Sequence, residues 1–269
     1  MALLATGLLG ASRWAEHGAE QGLAPARTLS ASEERYIAQC PASTLPDHGA
    51  CIPVALPGDI EGDAPEVAQN EHHDRHGRLV RYEHIPRRPE RAADYRQYAL
   101  PIPVPKSQAF LGSGYDLDLP DAEQRRGAGL KAVGHGGLDL AAARGTPVHG
   151  VHLEHQRGDA EVLYVGELFG TSVVTLHSVA EAGALRDYLI VHGHLERANA
   201  SLRKGAVVTP ETLLGFVGDT GSPGIVHLHF EVRRARDGVA VRELGPRELV
   251  HNAKTIACDP RNVLEPRGE

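Results

Sequence analysis

Val226-His227-Leu228-His229-Phe230-Glu231-Val232 alternates apolar and polar residues over seven positions, the period of a β-strand with one buried face. Val226, Leu228, Phe230 and Val232 then point into a core, while His227, His229 and Glu231 share the opposite side. Two imidazoles and a carboxylate make poor strand surface unless something binds them. Upstream, His135-Gly136-Gly137-Leu138-Asp139 offers a second such group. Its two glycines let the backbone bend tightly, so that His135 and Asp139 converge where a strand over 138–142 begins. Two histidines and one carboxylate are a familiar ligand set for catalytic zinc, with one coordination position left open.

A third histidine motif, Val191-His192-Gly193-His194-Leu195, follows an apolar run, and strict alternation puts His192 and His194 on one side with Ile190. Any one histidine is more often ordinary core or surface; three strand-end motifs able to share a cleft are not. Around them lie further strand-like runs at 146–151, 162–165, 172–176, 188–191 and 213–217. Turn signals separate them at Arg157-Gly158-Asp159, Phe169-Gly170 and Gly218 to Gly224. With 30 Gly and 18 Pro spread along the chain, this pattern predicts a mainly β fold, a compact antiparallel domain. Residues 98–104, with Pro101 and Pro103, read as an edge strand. Only 179–186 reads as a helical turn.

The 269 residues divide into three zones: a possible signal or leader segment at 1–30, an irregular arm at 31–95, and the β domain at 96–269. Ala2 to Ala11 has the length of a signal-peptide core but no basic stretch before it, so an ordinary helix start is the other reading. Cys40 and Cys51 bracket a loop bearing proline and glycine, and a disulfide between them would indicate an oxidising compartment; two unrelated thiols are the alternative. Cys258 is left over as a buried or free thiol. A net charge of −7 lacks the basic footprint of a nucleic-acid binder, and no apolar run approaches the ~18 residues that span a membrane. His177 reads as a strand-end residue, and His149, His152 and His155 as a solvated hairpin. His72, His73 and His76 read as an exposed polar loop, although they and Asp74 could donate to a metal.

The ordered set His135-x-x-x-Asp139, His194-Leu195 and His227-x-His229-Phe-Glu231 resembles the lysostaphin-type zinc endopeptidases, the LytM family of cell-wall hydrolases. Gly145-Thr146-Pro147-Val148, Gly218-Asp219-Thr220-Gly221 and Ala257-Cys258-Asp259-Pro260 add to the match, which covers about 96–265. The resemblance implies that His135, Asp139 and His229 bind one zinc per chain, and that His194 and His227 flank its open position as base and oxyanion donor, in an order left open. It implies a secreted or periplasmic metalloendopeptidase acting on the stem peptides or cross-bridges of peptidoglycan. A protease acting on Gly-rich proteins is one alternative. A non-catalytic wall-binding or amidase-activator module of the same fold, which typically lacks the ligands, is another. Two departures stand out. His192 occupies a position where the family usually has Tyr, and is expected to line the cleft. Pro223-Gly224-Ile225-Val226 replaces the usual Ser-Thr-Gly-Pro turn.

Overall fold

The runs richest in β-branched residues form the longest strands. In the computed structural model, the described residues are 44–47, 50–53, 64–73, 76–105, 110–115, 117 and 134–267. The first strands are β1 (Thr44–Asp47), β2 (Ala50–Pro53), β3 (Ala68–His73), β4 (Leu79–Ile85), β5 (Leu111–Ser113), β6 (Leu138–Leu140) and β7 (Pro147–His149). They are followed by β8 (Ala160–Leu168), β9 (Gly170–Glu181), β10 (Ala184–Ala198), β11 (Val207–Val208), β12 (Leu213–Val217), β13 (Leu228–Ala235) and β14 (Thr255–Cys258). Helical structure among the described residues is limited to short 3₁₀ turns.

β1 and β2 form a separate antiparallel pair. The other strands make one sheet with the path β11-β8-β9-β10-β13-β14-β4-β3, and β12, β7, β6 and β5 attach to β10 and β13. Every pairing is antiparallel except that of β14 with β4. Two strands are shared between partners. Along one edge, β10 pairs first with β13 and then with β12. In the same way β13 pairs with β6 through residues 228–230 and with β14 through 232–235. The elements bearing the histidine motifs therefore meet around the start of β13.

Alternation divides the sheet into two apolar faces. Tyr188, Ile190, Leu228, Phe230, Val232, Leu138 and Leu140 join the larger core, whereas Leu189, Val191, Val174 and Leu176 pack on the other face with Val241 and Leu249. The apolar positions read from 226–232 thus lie inside, with Leu228, Phe230 and Val232 fully buried.

Three sequence expectations need correction. Residues 179–186 are not helical: they are the β9–β10 hairpin, turning at Ala182 (φ +46°) and Gly183 (φ +77°). Small residues gave the segment its helical look, but pairing on both flanks extends the ladder to Glu181↔Ala184. Residues 98–104 are no strand; Tyr98 makes one bridge to Pro266, and two prolines deny the rest a ladder. His177 is not at a strand end but fully buried within β9.

Part of the segment expected as an irregular arm is regular. β3 and β4 form a hairpin, and β4 docks in parallel on β14 through Ala257↔His84 and Cys258↔Ile85. Buried Ile85, Tyr95 and Tyr98 belong to the larger core. The alternation in Leu79–Ile85 is broken by charges, so its packing is hard to read without its partner strand. Cys51 is disulfide-bonded and Cys258 is a buried free thiol. Cys40, Asp74 and the 1–30 segment lie outside the described residues.

Candidate metal centre

The cross-strand pair His229↔Asp139 brings two of the motifs together on β13 and β6. Just before β6, His135 reaches the same point because the backbone at Gly136 and Gly137 lies flat against β13. A Cβ on Gly137 would stand 2.6 Å from the Phe230 carbonyl oxygen. His135 Nε2 and Asp139 Oδ1 are 3.1 Å apart, Asp139 Oδ1 and His229 Nδ1 3.2 Å, and the two imidazole nitrogens 3.3 Å. Four ligands at 2.0–2.1 Å from a tetrahedral ion would stand about 3.4 Å from one another. The near-equilateral triangle fits three corners of that figure.

Hydrogen bonding fixes which nitrogens face inward. His135 Nδ1 donates to the Gly114 carbonyl at 2.9 Å, with Ser113 Oγ at 3.2 Å, leaving Nε2 a lone pair. His229 Nε2 donates to Glu231 at 3.1 Å, leaving Nδ1 a lone pair. Two lone pairs and a carboxylate oxygen thus meet at close range, an arrangement that repels unless positive charge sits among them. The acidities agree. Burial pulls the His229 imidazole down, but Asp139 and Glu231 outweigh it and raise its pKa to about 9. Burial pushes the Asp139 carboxyl up, yet the adjoining His135 and His229 imidazoles, wherever either carries a proton towards it, hold it well below the usual range.

Glu231 shares the site's face, as its position two residues after His229 requires. Its other oxygen contacts Arg233, which also donates to Thr255 Oγ1 at 2.7 Å and Asn252 Oδ1 at 2.7 Å. Burial would raise the Glu231 pKa; Arg233 and His229 together lower it to about 2. Arg233 carried no signal in the sequence, since its role exists only through the carboxylate it holds.

His194 and His227 stand beside the triangle with ring centroids 4.6 Å apart. His227 Nδ1 donates to the Ile225 carbonyl at 2.7 Å, and His227 Nε2 lies 3.5 Å from Asp139 Oδ1. His194 Nδ1 donates to the Thr220 carbonyl at 2.8 Å. Both rings therefore keep Nε2 as an acceptor. Burial lowers the His194 pKa to about 4, so the ring is neutral near pH 7.

His192 does not line this cleft. It pairs with Phe230 across the ladder, stacks edge-on against that ring in the core and is fully buried. Strict alternation would send His194 to the same side. A bulge between His192 and Leu195, with His194 at φ +60°, turns it back towards the metal face. Of the remaining histidines, His149 ends β7, His152 pairs with Glu265 at 2.8 Å and exposed His155 sits in a turn, so the three do not share a hairpin.

Three possible donors on neighbouring strands, flanked by two tethered imidazoles on a mainly antiparallel sheet, make a candidate metal site. Residues 133–242 match the model of peptidase family M23. Similar solved structures include a zinc-containing peptidase from Vibrio cholerae, at 22% identity and TM-score 0.36, covering 57% of this chain and 43% of that one. The antimicrobial peptidase lysostaphin from Staphylococcus simulans is 21% identical with TM-score 0.33, over 48% of this chain and 44% of that one. The catalytic domain of lysostaphin alone is 18% identical with TM-score 0.34, over 59% of this chain and 92% of that one. This chain thus spans less than half the length of the first two. No curated protein matches it. No helix among the described residues is long and apolar enough to cross a membrane.

Proposed function

We propose that the protein is a zinc metalloendopeptidase that hydrolyses peptide bonds in the stem peptides or cross-bridges of bacterial peptidoglycan. The observation that carries the reading is the triangle of His135 Nε2, Asp139 Oδ1 and His229 Nδ1, with sides of 3.1 to 3.3 Å and lone pairs turned inward. These three side chains would hold the ion. When bound, zinc supplies a Lewis acid and brings the pKa of water towards ~7.

The flanking imidazoles do the proton work. In the acceptor tautomer, Nε2 of one ring takes a proton from the attacking water and later delivers it to the departing amine. The other ring, once protonated, donates to the oxygen that gains charge at the scissile carbonyl. The chemistry balances as hydrolysis: the C–N bond breaks, water supplies hydroxyl to the carbonyl carbon, and its proton goes to the nitrogen. The complete donor set weighs against a non-catalytic wall-binding module. The disulfide at Cys51 supports an extracytoplasmic site of action.

The test is to incubate the full chain with purified peptidoglycan and identify released fragments by mass. New amine and carboxyl ends are expected, and a zinc chelator should abolish them. Fragments that persist in chelator, or none at all, would overturn the reading.

A further inference from the structure

We propose that Thr220 is the positioning residue for His194, holding its ring in the acceptor tautomer beside the metal ligands. The inference rests on the reading of His194 as a proton-transfer group. Its basis is the crossing of three segments distant in sequence. The β8–β9 turn at Gly170 passes so close to the 218–226 loop that a Cβ on Gly170 would stand 2.0 Å from the Thr220 carbonyl oxygen. Gly221 meets the same turn from the other side, where its Cβ would lie 2.6 Å from the Gly170 nitrogen. Both glycines are in the left-handed region, at φ +60° and +73°.

Thr220 joins all three segments at that crossing. Its hydroxyl accepts from Thr171 N at 2.8 Å and donates to the Leu195 carbonyl at 2.7 Å. Its own carbonyl accepts from His194 Nδ1 at 2.8 Å. The His194 backbone nitrogen completes the ring of contacts by donating to the Phe169 carbonyl at 2.8 Å. His194 itself sits at φ +60°, a conformation a non-glycine residue keeps only where its surroundings impose it. The hydroxyl therefore does more than fill its own bonding capacity. It fixes the distance between the loop carbonyl and the bulge that carries the imidazole. With Nδ1–H committed to that carbonyl, Nε2 is left as the acceptor, 5.9 Å between ring centroids from His229 and 4.6 Å from His227. Valine at position 220 keeps the shape and the carbonyl but leaves Thr171 N and the Leu195 carbonyl without this partner.

The test compares zinc-loaded full-length protein with Thr220→Val and Thr220→Ser, following peptide turnover, zinc content, melting temperature and the ¹⁵N spectrum of the His194 ring. For Thr220→Val, kcat should fall roughly 10- to 100-fold with KM within about twofold, zinc content staying near wild type and the melting temperature falling by only about a few degrees, with the protein fully folded at the assay temperature. The ¹⁵N spectrum should lose the single Nδ1–H form. Thr220→Ser, which keeps the hydroxyl, should restore both kcat and spectrum. An unchanged His194 spectrum in Thr220→Val, or a serine variant as impaired as the valine one, overturns the proposal. Turnover that falls only in step with zinc or melting temperature overturns it too. The spectrum is read whether or not peptidoglycan is cleaved. An inactive wild type whose His194 tautomer still depends on Thr220 sinks the peptidase reading while leaving the positioning contact in place.

Discussion

Both ring nitrogens of His229 are engaged, Nδ1 with Asp139 and Nε2 with Glu231, and the Glu231 carboxylate would make the imidazole a better donor to a cation. Glu231→Gln should therefore weaken zinc binding roughly 10- to 100-fold, read by competition with a chelator. Unchanged affinity would mean that Glu231 only fills space. Removing a member of the triangle is harsher. His229→Ala or Asp139→Ala should lose zinc and activity together. His194→Ala should retain zinc and lose ~10²–10⁴ in turnover, since it removes a proton-transfer or oxyanion partner. A metal-free His194→Ala would show that the division between ligand and proton carrier is drawn in the wrong place. The sequence brought these residues forward because the residue types able to hold a metal are few and their spacing is particular. It gave no role to Gly114 or Ile225, whose contribution is a carbonyl that any residue possesses.

Two glycine-bearing turns show how elements set the site. Gly137 lies against β13, and a Cβ there would meet the Phe230 carbonyl at 2.6 Å and the Glu231 Cα at 3.0 Å, both backbone atoms that cannot swing aside. Gly137→Ala should force β6 away from β13 at a cost of about 1–3 kcal/mol and lower zinc affinity as Asp139 retreats from His229. Urea unfolding and zinc titration would check it, and wild-type values in both would mean that the strands can separate freely. The β9–β10 turn is the opposite case. Exposed Ala182 adopts φ +46° ahead of Gly183 at +77°, a two-residue turn that prefers Asn-Gly. Ala182→Asn is expected to stabilise the fold by about 0.5–1 kcal/mol, because asparagine tolerates the left-handed region better than alanine. A lower unfolding midpoint would contradict that assignment. The hairpin was hard to read because Glu181-Ala182-Gly183-Ala184 lacks the asparagine or aspartate that usually marks such a turn.

Across the whole molecule, two neutral histidines buried in the sheet tie stability to pH. His177 bonds Thr175 Oγ1 and Gln156 Oε1, each at 2.8 Å; burial, then the nearby His192 and His152, lower its pKa to about 3. Burial lowers His192 to about 4, and its Nε2 has no hydrogen-bond partner among the described residues. In the unfolded chain both titrate near ~6.5. Below that pH the unfolded state takes up protons the folded state refuses. Stability complete above pH ~6.5 is then lost as pH falls towards 4, by about 1.4 kcal/mol per pH unit for each histidine. His192→Phe, apolar beside Phe230, should make the slope between pH 6 and 5 shallower by about that amount. Comparing the two proteins by urea unfolding separates His192 from titrations at the metal centre. Equal slopes would mean that His192 is protonated in the fold or reached by water.

By itself the sequence determined the mainly β fold and singled out the candidate donors. Side-chain direction in a strand follows from a period of two, and the residue types that can hold a divalent ion are few. The alternation at 226–232 therefore already separated the Leu228, Phe230 and Val232 side from the His227, His229 and Glu231 side. Only the tertiary structure decided which of His192 and His194 enters the cleft. That choice depends on one extra residue in β10 opposite β9, and a bulge is a property of a strand pair rather than of either strand. The docking of β4 on β14 and the holding of Glu231 by Arg233 were decided the same way. Each is a contact between segments far apart in the chain, and its stability comes from burial that no local pattern records.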